Sequence, residues 1–600
     1  MPYKSIDNYG VIGDLHTTAL VATDGSIDWC CLPRFDSPSV FGAILDDHKG
    51  GYFRIWATAE GRYKQMYLPD TNVLMTRFLN PDGVGEVIDF MPWKSGESGL
   101  QGIVRIARCV RGSVSFRMEC VPAFDYARQQ HEMSLTGQGA TFRTPQLTLS
   151  LATKAPLQGF GRGGVAADFV LKENEKHSFV MEVLQEQDTR IPPDLERYTH
   201  DALNKTLSSW RDWASRCSYA GRWREMVMRS ALMLKMLIYD PTGAIIAAPT
   251  CSLPECLKGV RNWDYRYTWV RDAAFTVYVF LRLGYYDEVG HFIEWLQERA
   301  SENQETGPLQ VMYRVDGSSD LTEVILDHLS GYQGSGPVRI GNGASDQLQL
   351  DIYGELIDSI YLYNKHAEPI SYDTWNSLCR MAYWLCDNWR RPDHSIWEVR
   401  AGPQQFTYSK MQCWVALDRV LRIALQRNLP LDLRRVRLES QNIYEAIMRD
   451  GWRDGSFRQI LGGTAIDATS LLFPLMLFVA PKDGRMKSTL DRVMKDLVSD
   501  SLVYRYHNSD EADDGLPGGE GTFSVCTFWL VEVLSRSGRL REARFIFDKM
   551  LTYANHLGLY GEEIGPSGET LGNFPQAFTH LGLISAALDL DEQLNRVRRP

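Results

Sequence analysis

The stretch DHSIWEVRAGPQQFTYSKMQCW, from Asp393 to Trp414, places Glu398 directly after Trp397 and ahead of the turn-like Arg400-Ala401-Gly402-Pro403. A second carboxylate, Glu562, begins the acidic pair of GEEIGPSGETLGNFPQ. Two carboxylates delivered from separate loops suit cleavage of a glycosidic bond. One stays protonated and donates to the leaving oxygen; the other stays ionised and activates water or attacks the sugar carbon. Apolar cover raises a carboxyl pKa, and Trp397 is expected to supply that cover to Glu398. The residue pattern alone reads equally well with Glu398 capping the next helix or pairing with Arg400. In YTWVRD, the adjacent Arg271-Asp272 suits a charge-assisted grip on sugar hydroxyls, or an ion pair that caps a helix. Glu520, Asp513, Asp514 and Glu563 compete for the acid and base roles. The 12 histidines are scattered without a His-x-x-x-His pair, so neither a metal nor another cofactor is expected. No phosphate-cradling loop is present, and Gly518-Gly519 reads as a turn.

Stepping from these residues to the whole chain, 600 residues exceed what one core usually serves, so two domains are expected. A net charge of -11 without a Lys/Arg-rich run argues against a nucleic-acid partner and suits a neutral sugar. The 16 tryptophans and 27 tyrosines mostly serve cores, and some suit stacking on sugar rings. No secretory signal opens MPYKSIDNYGVIGD, and no run of about 18 apolar residues suggests a membrane span. Eleven scattered cysteines without a Cys-x-x-Cys pair fit reduced thiols and a cytoplasmic location. A homo-oligomer is compatible with this composition.

Residues 1–190 read as short strands. Val114 to Cys120 alternates apolar and polar residues strictly, and turns such as Asp24-Gly25 and Asn80-Pro81-Asp82-Gly83 separate similar runs. An antiparallel β-sandwich is expected. A linker at 191–221 opens with Ile191-Pro192-Pro193 and continues as a polar helix. From 222 to 600 the period becomes helical. Spacing predicts about twelve helices, near 222–240, 271–284, 286–300, 348–366, 371–390, 405–427, 433–450, 467–479, 486–499, 521–536, 540–553 and 576–590. Pro474 should kink or split the eighth. Short and long connections alternate, which suggests six helical hairpins closed into an (α/α)6 barrel with the long loops on one rim. An open helical solenoid is the alternative, but no fixed-period repeat supports it. The expected fold is therefore α+β with two domains, a β-sandwich followed by a barrel.

The loop segments resemble glycoside hydrolase family 15, and the resemblance spans essentially the whole chain. IDNYGVIGDLHTTALVATDGSIDWCCLPRFDSPSVF is similar to the family's trehalase-like N-terminal domain. RNWDYRYTWVRDAAF resembles the Tyr-x-x-x-Trp-x-Arg-Asp segment, which implies that Tyr265, Trp269, Arg271 and Asp272 surround the nonreducing-end glucose. IWEVRAGPQQFTYSK resembles the general-acid segment, implying Glu398 as the acid with Trp397 beside the sugar. GEEIGPSGETLGNFPQAFTHL resembles the base segment, implying Glu562 rather than Glu563. VYRYH places Arg505 where the family has a sugar-binding arginine. One departure stands out: Val399 occupies the position of a second acidic residue in fungal glucoamylases.

The resemblance implies an exo-acting, inverting α-glucoside hydrolase that uses water and no catalytic metal. Trehalose or short α-glucans are the expected substrates. Glucoamylase or isomaltose-type activity is the alternative. A sugar phosphorylase would not need the carboxylate at Glu562, and a noncatalytic sugar-binding barrel could dispense with either carboxylate.

Overall fold

The computed structural model describes residues 3–93, 101–184, 194–302, 309–508 and 513–598. Strands between Tyr9 and Leu184 pair antiparallel throughout. The 20-residue strand Gly102–Val121 organises them. Its first half pairs with Gly83–Phe90 and Lys176–Leu184, its second with Tyr52–Ala57 and Gly164–Lys172. One strand thus belongs to both layers. Gly112 lies at the changeover with φ +73, and a Cβ there would stand 2.2 Å from the Asp82 carbonyl oxygen. Beyond it, Val114, Phe116, Met118 and Cys120 are buried, as the alternation predicts, and Phe116 meets Phe78 of the other layer edge-on at 6.0 Å.

A buried charge also pins the layers. Arg105 donates to Asp89 at 2.7 Å from one layer and to the Gly25 and Phe53 carbonyl oxygens of the other. Both side chains are fully buried. The polar helix expected next spans Leu195–Ser215 and sets Trp210 against Trp93 at 4.6 Å. Ile191-Pro192-Pro193 lies outside the described residues.

The helical part forms the (α/α)6 barrel. Its inner elements are Val270–Leu283, Asp351–His366, Thr407–Arg427, Leu472–Leu475, Ser524–Ser537 and Ala577–Arg598. Ala577–Arg598 packs on both Ser524–Ser537 and Val270–Leu283, which closes the ring. Inner and outer helices differ as burial demands. Ser524–Ser537 buries twelve of its 14 residues. The outer helix Leu540–Met550 buries Ala543, Ile546, Phe547 and Met550, the stripe of a one-sided helix.

The eighth helix departs from expectation. In place of 467–479 there is a tight turn Ala468–Leu471 followed by Leu472–Leu475. Pro474 has no N–H to return to the Ser470 carbonyl, in line with the expected split, and the helix stops where Leu477 enters the left-handed region at φ 65.

Replacing Arg105 with Met should destabilise the β domain by about 3–5 kcal/mol, because Asp89 would stay buried without its partner. Urea unfolding followed by the N-terminal tryptophans would measure it, and a loss under about 1 kcal/mol would show that the pair is dispensable.

Candidate active site

All eight residues singled out from the sequence, Tyr265, Trp269, Arg271, Asp272, Trp397, Glu398, Arg505 and Glu562, line one cavity of about 60 Å³ at the long-loop rim. Phe578, from the first turn of the last inner helix, also lines it.

Glu398 sits in the loop between the helices Tyr372–Asn388 and Thr407–Arg427. Its φ of 56 is left-handed, a strained setting for a residue with a side chain. The turn is held by Glu398 N–H donating to the Ser395 carbonyl at 3.1 Å. Arg400 and Ala401 N–H both donate to the Asp514 carbonyl, at 2.7 and 3.1 Å. The carboxylate accepts from Trp269 Nε1 at 2.7 Å and Arg271 Nη1 at 3.3 Å. The alternative readings are thereby corrected. The next helix starts nine residues later with Phe406 as its uncapped N-terminal flank, and Arg400 pairs with Glu323 at 3.4 Å. Trp397 is also not the cover expected for Glu398. Its indole N–H donates to Asp467 at 2.8 Å, and its ring packs among Tyr506, Phe523 and Trp529. The indole on Glu398 comes from Trp269, as a donor.

Arg271 and Asp272 begin the inner helix Val270–Leu283. Neither caps it; Trp269 is the flanking residue and no side chain bonds the first turn. Arg271 Nε donates to Asp272 at 2.7 Å, and Nη1 donates to the Ile396 carbonyl at 2.9 Å. Burial pushes the Asp272 carboxyl up while the Arg271 charge pulls it back.

Glu562 is 1% exposed. It accepts from Tyr265 Oη at 2.7 Å, Gln576 Nε2 at 3.2 Å and Asn573 N at 3.4 Å. Gly572, at φ +72, admits the carboxylate; a Cβ there would come within 2.4 Å of it. Burial and the neighbouring Glu255 charge push Glu562 up to about 8, against the Tyr265 hydrogen bond and Arg505. Glu563 starts the two-residue strand Glu563–Ile564, where alternation sends its side chain away from that of Glu562. It accepts from Gly521 N–H at 2.7 Å and does not line the cavity.

Arg505 donates to Glu520 at 2.5 Å and Glu255 at 3.1 Å. Glu255, Glu520 and Glu563 bring oxygens within 4.8 Å of one another, a grouping that suits a cation. The Arg505 guanidinium already answers two of the three. Asp514 lines the cavity and takes Arg261 at 2.6 Å; Asp513 and Glu520 do not line it.

Sequence reasoning missed Glu255, which is buried in the cavity wall with burial pushing it up to about 7. In CSLPECLKG it is a lone carboxylate after a proline, with no local signal. Arg261 and Gln576 were also missed, although they open and close the segments RNWDYRYTWVRD and GEEIGPSGETLGNFPQ.

The profile of glycosyl hydrolases family 15 matches residues 221–588, and that of the trehalase-like N-terminal domain matches residues 3–155. A trehalase from Mycolicibacterium smegmatis is 38% identical, with 98% of this chain and 91% of that protein covered. A trehalase from Thermoplasma volcanium is 36% identical, with 99% and 94% covered. A bacterial glucoamylase crystallised with acarbose shares the fold at TM-score 0.74 and 13% identity, covering 100% of this chain and 97% of its own.

Glu255→Gln removes a negative neighbour, so the Glu562 carboxyl should titrate below its present value of about 8. Carboxyl-labelled NMR titration would follow it. An unmoved midpoint would exclude the Glu255 charge as a cause.

Proposed function

This chain belongs to glycosyl hydrolases family 15, and from that premise we propose that it hydrolyses trehalose to two molecules of glucose by an inverting displacement. The observation that carries the reading is the cavity itself, with Glu398 and Glu562 presented from separate loops into one pocket. The full-length similarity to proteins named trehalase favours trehalose among α-glucosides. Short α-glucans and isomaltose-type substrates are the second reading, favoured by the fold shared with a glucoamylase.

In this reading Glu562 is the general base and Glu398 the general acid. Glu562 removes a proton from water as the oxygen bonds to the anomeric carbon. The glycosidic oxygen departs with a proton from Glu398. Tyr265, Gln576 and the Asn573 N–H favour the ionised base by donating to it. Arg271 and Asp272 hold hydroxyls of the cleaved glucose, with Arg505, Trp269 and Trp397 completing its site. Their mutual ion pair fixes the donors before substrate arrives, so little is spent on ordering them.

The pH dependence has a definite sign. The base acts ionised, and its carboxyl is raised to about 8. Activity therefore rises as pH rises through that value and falls on the acidic side.

All eleven cysteines carry free thiols, which suits a reducing compartment and supports a cytoplasmic location. Among the described residues no helix is long and apolar enough to cross a membrane.

Two predictions test the roles. Arg271→Ala should lower kcat/KM by about 2–4 kcal/mol in transition-state terms, through lost charged hydrogen bonds. Unchanged kinetics in the folded variant would reduce the Arg-Asp pair to scaffold. For the carboxylates, Glu398→Gln should lose much less with α-glucosyl fluoride than with trehalose, because fluoride needs little protonation to leave. Glu562→Gln should lose about 10²–10⁴-fold with both. Trehalose itself should give one β-glucose from the attacked ring and one α-glucose from the leaving ring, seen by NMR before mutarotation. Two α-glucoses, a glucose phosphate, or equal responses of the two variants would refute this assignment.

A further inference from the structure

Trp263 and Tyr265 line one wall of the cavity. Tyr265 is held there by its own backbone: Ala248 N–H donates to its carbonyl at 2.9 Å, and its N–H donates to the Thr250 carbonyl at 3.4 Å. Tyr265 lines the sugar cavity, whereas its neighbours Asp264 and Arg266 do not. Asp264 accepts from Arg266, from Tyr267 Oη at 3.2 Å and from Gly341 N–H at 3.2 Å, and Arg266 reaches the N-terminal β domain.

Arg266 is 1% exposed, and every bond of its guanidinium is directional. Nε and Nη2 fork onto Asp264 at 2.8 and 2.6 Å. Nη1 crosses the domain boundary and donates to the Ser37 carbonyl at 2.8 Å and to Cys31 Sγ at 3.3 Å. The guanidinium also lies near the rings of Trp29 and Tyr126, 5.8 and 5.5 Å from their centroids. Trp29 in turn donates to the Pro249 carbonyl at 2.7 Å, on the segment that bonds the Tyr265 backbone. Both segments that fix Tyr265 are therefore anchored in the β domain. A lysine could not reproduce a planar fork plus a third directed bond.

We propose that Arg266 is a positioning residue for the reaction: it ties Tyr265 to the β domain so that the Tyr265 hydroxyl stays on Glu562. This rests on the assignment of Glu562 as the base. It makes the β domain part of the catalytic apparatus, acting through one side chain on each side of a single tyrosine. With Arg266 removed, Asp264 is left buried beside Tyr265 without its counter-charge, and the segment loses its far anchor. The Tyr265 hydroxyl then leaves the base for part of the time. The other charged groups that act on Glu562, Glu255 and Arg505, stay in place, as does Glu563, whose side chain points the other way.

The test is the pH profile of kcat/KM on trehalose, with the full-length chain. Arg266→Gln should lower kcat/KM near pH 7 by about 10- to 100-fold, the scale for losing a hydrogen bond to a charged group. The fall should lie mainly in kcat. The acidic limb should move to higher pH, because a base that loses a donor holds its proton more tightly. Tyr265→Phe should move the limb the same way, and the double variant should be no worse than Tyr265→Phe alone. Asp316→Asn breaks the exposed bridge to Arg34 across the same boundary, 2.7 Å long, and should leave the profile where it is. Should Arg266→Gln fail to fold, Arg266→Lys, which keeps the charge and lacks the fork, should show a smaller shift in the same direction. An unmoved limb in the folded arginine variant, or losses that multiply in the double variant, would overturn the proposal. Full activity in Glu562→Gln would instead overturn the assignment of the base, and the two failures are distinct.

Discussion

A carboxylate taken out of water must be held by something else, and the rim of this barrel is built around that requirement. Asp264 is answered by Arg266, Asp272 by Arg271, Asp514 by Arg261, and Glu255 with Glu520 by Arg505. Among the carboxylates that line the cavity, Glu562 is the exception. Its hydrogen-bond donors are neutral, a phenol, an amide side chain and a backbone N–H, and a buried carboxylate stands next to it. No cationic side chain bonds it directly, which suits a residue proposed to take up a proton and release it every turnover.

The same economy explains the position of Arg271. One guanidinium bonds Asp272, the Ile396 carbonyl and Glu398, and so links an inner helix to the loop carrying the proposed acid. The loop is tied again from the other side by the Asp514 carbonyl. The Glu562 carbonyl accepts from Ser524 N–H at 3.0 Å, at the start of another inner helix. Long loops that would otherwise be mobile are thus tied to helix ends, where the scaffold is stiffest. The β domain completes this arrangement from behind, through contacts that reach the cavity wall rather than only the barrel's flank.

Much of this was legible from local pattern. Strict alternation in Val114–Cys120 and the shift to a helical period beyond residue 222 report which face of each element is buried, and burial is decided by side chains a few positions apart. The alternation of short and long connections carried the barrel, and the motif residues around Arg271, Glu398, Arg505 and Glu562 all reached the cavity. The expected helix at 467–479 is split, as Pro474 suggested, and it also ends early, at Leu475, ahead of the left-handed Leu477.

The sequence by itself thus determined the two architectures, the rim on which the loops gather and the residue types offered there, since each of these follows from spacing along the chain. Only the tertiary structure decided which group touches which. Trp269, not the adjacent Trp397, bonds Glu398, because a left-handed turn aims the two neighbours apart. Glu255 acquires its place beside Glu562 across 307 residues, and Arg266 finds the Ser37 carbonyl across 229. Neither partner leaves a trace in local spacing. Hydrogen bonds act over about 3 Å, so they are set by how distant segments approach one another and not by the order in which the residues are written.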